Sequence, residues 1–440
     1  MIIYIIAPIS AIFLIKWLTA KDPSPVCGIY NQKNKWYFVK FCFLKFMLYL
    51  RKKQNQNAQV TSGSNAGYGM RSRNTPEDME KAQTLPEDKP LAVDAVYFNG
   101  GNKDGHYVVA ATARRQNNIV QTILYLRVCY VSRIILDRIY FIFIYGYVMS
   151  PATTLRQNNI VQTILYLRIP EIGFLEIPSL PDTRLQGTEK NAFAAGGLKF
   201  DVVEPMKKWK LSYNGKMRNR TTDKLVDVTF DLEWVAFTKY FDFDTDLHPN
   251  AMADAIAREK WSRKYFDVLK SVHQTHYEQF GQISGTVNIS GEEKYIKVDG
   301  VRDHSYGNIR DWKYFHRYAL QYCTLEDRTA ICVGTICMPM TMSRLLVGYV
   351  LHPDGKMDSV SWSDFEFYDY GEDGKPPKEM SLEFTAGDET YNMKITVIEA
   401  PIFYIGEGRD AKIHERFCTY DVNGQKGWGI SEWDYRNKES

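Results

Sequence analysis

Hydrophobic and polar residues alternate along much of the chain after residue 90, which is the pattern of half-buried β-strands. Val226–Trp234 alternates without a break, so its apolar side chains share one face. Met393–Val397 repeats the pattern. Tight hairpin turns favour Asn-Gly and Asp-Gly, and seven such pairs begin at positions 99, 104, 214, 299, 354, 373 and 423. The pattern predicts an all-β, antiparallel fold.

One segment between two β-rich halves has helical periodicity instead. Trp261, Tyr265, Val268 and Val272 recur at helical spacing, and Asn250 is a candidate N-cap. We therefore expect one linking helix over residues 249–274. This helix would join a first barrel at 90–248 to a second barrel at 275–440, with two sandwiches as the related alternative.

Two apolar stretches precede the β-rich region. Met1–Leu18 is apolar until Lys16 and is long enough for a signal anchor. Trp36–Leu50 is interrupted by lysines and followed by Arg51–Lys53, which is typical of an interfacial helix. We expect residues 1–53 to hold the protein at a membrane, with a single-pass anchor, and a buried helix pair is the alternative. Residues 54–89 are polar and predict a flexible linker.

The side of the membrane is left open by two opposing signals. The basic cluster Arg51–Lys53 favours the cytoplasmic side for the residues that follow it. Two N-x-S/T sequons, at Asn219 and Asn288, are compatible with the luminal side instead.

An internal repeat interrupts the first predicted barrel. Arg115–Arg127 recurs letter for letter as Arg156–Arg168, at an offset of 41 residues. A structural repeat would diverge and would continue beyond two copies. The intervening residues show no strand or helix period, and Asp137 interrupts them as a membrane span. We interpret residues 128–168 as a spurious insert, such as a translated intron, with a genuine tandem duplication as the alternative.

Composition excludes several classes of protein. The 440 residues contain 55 Lys and Arg against 52 Asp and Glu, so the chain has no overall basic footprint for nucleic acid. An aromatic content of 14% argues against general disorder. The seven cysteines show no C-x-x-C spacing, which argues against a disulfide scaffold or a zinc ribbon. No Walker A motif is present, and we expect no cofactor and no metal. The oligomeric state is left open.

The densest group of polar residues lies within Gly300–Trp312. If Val298–Tyr306 is a strand, Arg302, His304 and Tyr306 share one face, and Asp303 and Ser305 share the other. A barrel lumen with a cation, an imidazole and a phenol among apolar walls could bind a ligand and transfer a proton. The alternative is a structural lattice of ion pairs, formed by Arg302, Asp303, Arg310 and Asp311, with His304 hydrogen-bonded inside it.

Other candidate sites are weaker. His273 and His276 have metal-ligand spacing, but no third ligand lies near them in the sequence. Asp303, His304 and Ser305 are the residue types of a catalytic triad, yet neighbours on a strand point to opposite faces. The glycine-punctuated hairpin that ends at Glu432 and Trp433 could line a lumen or form an edge.

Three segments together resemble one family. Tyr277–Gly281, Gly300–Trp312 and Asn423–Glu432 are similar to landmarks of the lipocalin-like, AttH and carotenoid-hydratase-like double-barrel proteins. The resemblance covers residues 85–440 without the suspected insert. It extends to invertebrate proteins labelled phosphoenolpyruvate synthase, in which this module precedes kinase-like domains. That label does not transfer as an activity, because no histidine of this chain is followed by the glycine that a phosphohistidine loop needs.

The resemblance implies two consecutive lipocalin-like barrels and three possible functions. The first is a membrane-tethered module that binds a lipophilic small molecule of isoprenoid, sterol or fatty acyl type. The second is a hydratase or isomerase on an isoprenoid-like substrate, with His304 as the general acid. The third is a non-catalytic structural module of a phosphoenolpyruvate-synthase-like protein, and a kinase or phosphotransferase is not expected. Residues predicted to contact a ligand are Arg302, Asp303, Tyr306, Arg310, Asp311, Trp312 and Glu432.

Overall fold

A computed structural model describes residues 19–56, 67–70, 74–115, 160–189 and 191–438, and the backbone of four short strands within 118–157. The described helices are Tyr37–Gln56 (α1), Pro76–Glu80 (α2), Pro249–Arg258 (α3) and Arg263–Ser271 (α4). The described strands are Val93–Gly101 (β1), Tyr107–Arg115 (β2), Asn118–Val120 (β3), Ile135–Leu136 (β4), Ile139–Tyr140 (β5), Leu155–Gln157 (β6), Ile160–Ile169 (β7), Gly173–Glu176 (β8), Arg184–Gln186 (β9), Phe193–Ala195 (β10), Leu198–Glu204 (β11), Lys208–Asn219 (β12), Leu225–Ala236 (β13), Phe241–Asp242 (β14), Thr275–Ile289 (β15), Glu292–Gly307 (β16), Arg317–Leu325 (β17), Ala330–Met338 (β18), Met342–Leu351 (β19), Met357–Ser363 (β20), Glu379–Ala386 (β21), Glu389–Glu399 (β22), Ile402–Ile405 (β23), Ala411–Val422 (β24) and Gln425–Arg436 (β25).

Within the described residues, the strands form two closed antiparallel barrels of eight strands each. The first barrel has the order β12-β13-β15-β16-β1-β2-β7-β8, and pairing of β8 with β12 closes it. The second has the order β22-β21-β20-β19-β18-β17-β25-β24, and pairing of β22 with β24 closes it. The all-β prediction with two antiparallel barrels is confirmed.

Alternation in the sequence explains how the barrel walls form. In β13, Val228, Phe230, Leu232 and Trp234 are buried, while the residues between them are exposed. Burial of each large apolar side chain contributes about 1.5–3 kcal/mol relative to exposure. A strand with this pattern therefore packs one face on a core and leaves the other in water.

The connection between the two β-rich halves consists of two helices instead of the single predicted one. Glu259 leaves the helical conformation after α3, and its carboxylate accepts hydrogen bonds from the backbone N–H and hydroxyl of Ser343 at 2.8 and 2.7 Å. Ser262 then caps α4 by accepting from the N–H of Tyr265. His248, and not Asn250, caps α3.

The two strands after the helices complete the first barrel. β15 pairs with β13, and β16 pairs with β1, so residues 275–307 lie in the first barrel. The sequence prediction assigns them to the second barrel. The boundary differs because α3 and α4 connect two strands of the same barrel. Pairing between strands that are separated by such a connection leaves no local signal in the sequence.

The N-terminal region differs in detail from the prediction. Among the described residues, no helix is long and apolar enough to cross a membrane. The predicted anchor Met1–Leu18 lies outside the described residues. Part of the predicted flexible linker 54–89 is ordered, because Met79 and Glu80 in α2 are buried against the first barrel.

The internal repeat contributes one strand to the first barrel. Its second copy forms β7, which pairs with β2 and β8, so residues 160–168 of the suspected insert 128–168 lie in the barrel wall. Because the two copies are identical, removal of residues 116–156 and removal of residues 128–168 give the same sequence. In the structure, the suspected insert therefore corresponds to the residues between β2 and β7. The remainder of the suspected insert falls largely outside the described residues.

Candidate functional site

A cavity of about 280 Å³ lies between the two barrels. Strands β1, β2, β7, β15 and β16 of the first barrel form one side, and strands β17–β19 and β23–β25 form the other. Small side chains of the first barrel, at Ala95, Ala111, Ala113 and Ser305, line the cavity. Because these side chains are short, the outer walls of the two barrels do not meet there, and space is left between them.

Two carboxyl groups with raised pKa values line this cavity from opposite barrels. Asp303 comes from β16, and Glu432 comes from β25. Burial raises the pKa of Asp303 to about 6, and the nearby Glu278 carboxylate adds to the rise. Burial likewise raises the pKa of Glu432 to about 7, although a hydrogen bond from the Tyr318 hydroxyl opposes this. Both groups can therefore exchange protons near neutral pH.

An imidazole lies beside these acids. His276 Nε2 is 3.3 Å from Glu278 Oε1, and Glu278 also accepts a hydrogen bond of 3.0 Å from the Tyr322 hydroxyl. Burial alone would lower the pKa of His276, but the bond to Glu278 and the charge of Asp303 raise it. The raised pKa favours the imidazolium form, which compensates part of the negative charge at the cavity wall.

The second histidine of the H-x-x-H pair has a separate partner. His273 Nε2 is 2.7 Å from Asp244 Oδ1, and its ring packs edge-on against Tyr68. The described residues contain no group of three or more His, Cys, Asp or Glu side chains that could hold a metal ion.

Arg310 brings a fixed cation to the cavity. Its Nη2 donates to Ser305 Oγ at 2.7 Å, and its Nε donates to Gln274 Oε1 at 2.7 Å. Both partners also line the cavity. Because two hydrogen bonds orient the guanidinium, Arg310 holds one position relative to Asp303.

The remaining wall is largely apolar, and Trp312 contributes a hydrogen-bond donor to it. Trp312 is 8% exposed and lines the cavity, and its indole N–H has no hydrogen-bond partner among the described residues. A buried N–H without a partner is costly, so this group would gain from a ligand that brings an acceptor. Other apolar lining residues are Leu247, Met252, Phe315, Leu320, Ile336 and Phe403.

His304 lies on the opposite side of β16 from the cavity. Its Nε2 is 2.7 Å from Asp94 Oδ1, its Nδ1 is 2.9 Å from the Tyr277 hydroxyl, and the side chain is fully buried. Asp94 also pairs with Arg114 at 2.6 Å. Phe193 packs edge-on against the imidazole. The interior of the first barrel is therefore occupied by side chains around His304, whereas the sequence predicted that His304 faces a ligand in the lumen of the second barrel.

Arg302 belongs to the same buried network. Its Nη1 is 2.8 Å from Glu80 Oε1, and its guanidinium lies over the rings of Trp209 and Trp234. The charge of Arg302 lowers the pKa of Glu80, although burial alone would raise that pKa. The α2 segment is thus held against the first barrel by a buried ion pair with Arg302. The proposed lattice among Arg302, Asp303, Arg310 and Asp311 has no ion pair within 4 Å among the described residues.

The structure brings together four of the predicted ligand-contacting residues: Asp303, Arg310, Trp312 and Glu432 line the cavity. Tyr306 packs against the ring of His304, and Asp311 caps a short 3₁₀-helix by accepting from the N–H of Lys313. Sequence reasoning missed His276 as a cavity residue, although its spacing to His273 had drawn attention to it. It also missed Gln274, Tyr318 and the alanines of β1 and β2, for which no motif exists.

Three solved structures are similar to this chain. A protein described as AttH from Nitrosomonas europaea has a TM-score of 0.46 and 11% identity, and the match covers 86% of this chain and 99% of that chain. Kievitone hydratase from Nectria haematococca has a TM-score of 0.45 and 11% identity, over 86% and 98% of the two chains. The protein CghA has a TM-score of 0.43 and 11% identity, over 87% and 96%. These likenesses concern the fold alone.

No curated protein matches the sequence significantly. The proteins named above include no phosphoenolpyruvate synthase, so that part of the resemblance stays a prediction. One family matches residues 4–136 and 146–435, which omits only a short part of the suspected insert and the two termini. The chain therefore belongs to this family of unknown function (DUF8627).

Proposed function

We propose that the protein binds a small lipophilic molecule in the cavity between its two barrels. The observation that carries this proposal is a largely apolar cavity into which polar groups converge from both barrels, at Asp303, Arg310, His276 and Glu432. Such a combination is typical of small-molecule sites, where apolar surface supplies affinity and a few polar groups fix orientation.

The size and charge of the cavity restrict the kinds of ligand that it can bind. A cavity of about 280 Å³ favours a slender, flexible isoprenoid over a rigid, four-ring sterol. Asp303 and Glu432 would weaken the pairing of a fatty-acid carboxylate with Arg310, whereas a hydroxyl group could bond to either carboxyl group. An isoprenoid alcohol therefore fits the site better than the sterol or fatty acyl alternatives.

Titration with farnesol tests this proposal. Trp312 lines the cavity, so we expect its fluorescence to change when farnesol binds to the full chain. The Trp312→Phe variant is the control, because it removes the reporter and leaves the other tryptophans. An equal fluorescence change in both proteins, or none in either, would contradict binding at this cavity.

A second candidate function is the hydration or isomerisation of such a ligand. The raised pKa values of Asp303 and Glu432 favour it, because a carboxylic acid that keeps its proton near neutral pH can act as a general acid. In a hydration, one carboxyl group would donate its proton to one alkene carbon. Water would then add to the other carbon, and its released proton would return to a carboxylate.

In this second function, the general acid is Asp303 or Glu432 and not His304, which the sequence predicted. His304 has no access to the cavity because it is fully buried on the other face of β16. Incubation of the protein with farnesol, followed by mass spectrometry, would detect a hydrated product as a gain of one water. Loss of product in Asp303→Asn but not in His304→Gln would support the assignment, and the reverse would contradict it.

Membrane tethering by Met1–Leu18 remains part of the proposal and rests on the sequence. A non-catalytic role as a module of a longer synthase has no particular structural observation in its favour.

A further inference from the structure

Helix α1 lies on the protein with one face and leaves the other face uncovered. On the inner face, the Tyr37 hydroxyl donates to Asp254, Lys40 Nζ donates to the carbonyl of Glu259 at 2.7 Å, and Leu44 packs against the core. This face docks α1 on α3 and fixes the orientation of the helix.

The outer face of α1 is largely apolar, with one exposed lysine, Lys45, between Cys42 and Tyr49. Phe38 is 73% exposed, Phe46 57% and Tyr49 54%. These positions recur at helical spacing, so they form one stripe. The complete stripe, called here the outer stripe, consists of Phe38, Val39, Cys42, Phe43, Phe46, Tyr49 and Leu50. Isolated exposed apolar residues are ordinary, but a contiguous stripe of large ones marks an interaction surface.

The outer stripe continues onto the neighbouring helix. The ring of Phe43 contacts Trp261 edge-on at 6.1 Å between ring centroids, and Trp261 contacts Phe266 of α4 at 5.3 Å. Phe266 is itself 40% exposed. Two helices thus present aromatic side chains on one continuous surface.

The charge of α1 indicates what covers this surface. Its 20 residues include five Lys or Arg and no Asp or Glu. Lys52 and Lys53 are exposed at the C-terminal end of the outer stripe. A second copy of such a helix would be repelled by like charges, whereas an anionic surface with an apolar interior would satisfy both features.

We infer that the outer stripe of α1, with Phe266, docks on the surface of an anionic lipid bilayer. The aromatic side chains enter the interface between headgroups and acyl chains, and Lys52 and Lys53 remain among the lipid phosphates. This is a peripheral contact of a described helix, and it is independent of the predicted anchor Met1–Leu18.

The docked helix is also linked to the cavity. Arg51 of α1 donates to the carbonyl of Tyr68, and Asn55 donates to the carbonyl of Gly69 at 2.9 Å. Tyr68 lines the cavity beside His273. A bilayer under α1 would therefore lie close to one end of the proposed lipophile site, which suits a ligand that is supplied by the membrane.

Cys42 provides a direct probe of the contact. It is exposed within the outer stripe, whereas four other cysteines of the described chain are buried. In a Cys27→Ser/Cys129→Ser variant of the full chain, Cys42 can be labelled with an environment-sensitive dye. We expect a blue shift with phosphatidylcholine vesicles that contain phosphatidylserine, and a weaker shift in 0.5 M NaCl. Label on Cys27 in a Cys42→Ser/Cys129→Ser variant should not shift.

Vesicle flotation provides the second measurement. With residues 1–18 deleted from every protein, so that the predicted anchor cannot hold it on the vesicles, Phe38→Ser/Phe46→Ser should reduce partition onto anionic vesicles by at least about tenfold. The matched control is Leu225→Ser/Tyr295→Ser, which removes two comparably exposed residues from the first barrel and should float like the unaltered protein. Near-ultraviolet circular dichroism would verify that each variant is folded.

Two outcomes would overturn the inference. These are flotation of Phe38→Ser/Phe46→Ser at the level of the control, and no shift of the Cys42 label with anionic vesicles. Failure of farnesol to bind the unaltered protein would contradict the proposed function alone, because vesicle binding does not require the cavity.

Discussion

Asp303 and His304 are consecutive residues whose side chains lie on opposite sides of β16. The Asp303 carboxyl group faces the cavity between the barrels, while His304 is enclosed in the first barrel with its Nε2 2.7 Å from Asp94 Oδ1. Because side chains alternate along a strand, a single motif serves both a packed interior and an open cavity. The most prominent histidine of the sequence is thus structural, and its acidic neighbour is the group available to a ligand.

Replacement of Asp303 should stabilise the protein at neutral pH. A carboxyl group with a pKa of about 6 in the folded state holds its proton more tightly than in the unfolded state. Its contribution to the free energy of unfolding therefore falls as pH rises from about 4 to about 6. Asp303→Asn abolishes this decrease. We therefore expect the free energy of unfolding of the variant to exceed that of the unaltered protein by roughly 1–3 kcal/mol at pH 8, with little difference at pH 4.

Urea unfolding of both proteins at pH 4, 6 and 8 measures this difference. Asp299→Asn is a suitable control, because it changes an aspartate on the same strand that does not line the cavity. A variant that is less stable than the unaltered protein at pH 8 would show that the Asp303 carboxylate stabilises the fold.

Replacement of His304 should affect stability and leave ligand binding intact. His304→Ala removes contacts to Asp94 and Tyr277 and leaves polar atoms buried without partners, which costs about 2–4 kcal/mol. We expect farnesol affinity to change by less than about threefold in the folded variant, because the histidine does not line the cavity. His276→Ala provides the comparison, since it alters the cavity wall. A folded His304→Ala protein that no longer binds farnesol would contradict this placement.

Loss of the Arg302 charge should destabilise the protein strongly. Arg302→Met would leave Glu80 buried without its ion-pair partner, and breaking such a pair by removing one member costs about 3–5 kcal/mol. The double variant Arg302→Met/Glu80→Gln should recover part of the loss. Equal destabilisation of the single and double variants in denaturant unfolding would argue against the pair.

The segment between β2 and β7 should be dispensable. Arg114 is paired with Val161, so deletion of residues 116–156 would join the two strands through the short loop Gln157-Asn158-Asn159. Since shorter loops cost less entropy, we expect cooperative unfolding at an unchanged or higher temperature. Deletion of residues 116–163 is the control and should prevent folding, because it also removes the start of β7. Loss of cooperative unfolding in the shorter deletion would show that the segment belongs to the fold.

The sequence predicted the strands better than it predicted their arrangement. Alternation at Val228, Phe230 and Leu232 indicates a half-buried strand because each side chain is either in a core or in water. Pairing of β15 with β13 depends on contacts across two intervening helices, so the barrel boundary had no local signal. The buried pair of Glu80 with Arg302 joins distant segments for the same reason.

The candidate site was predictable only in part. The motif that contains Asp303, Arg310 and Trp312 combines polar and aromatic residues at high density, and this pointed to a ligand. Which face of β16 meets the ligand depends on how the two barrels pack. Ala95 and Ala111 leave the space between the walls, and small residues of this kind have no recognisable signature in a sequence.

The most direct test of the central claim is a calorimetric titration of the full chain with farnesol, compared with the variant Ala111→Phe. Ala111 lines the cavity, so a phenyl ring there should fill space that the ligand needs. Val203→Phe, at an exposed position of β11, is the matched control. We predict saturable binding for the unaltered protein and for Val203→Phe, and at least about tenfold weaker binding for a folded Ala111→Phe. Equal affinity in all three proteins would contradict a ligand site between the barrels.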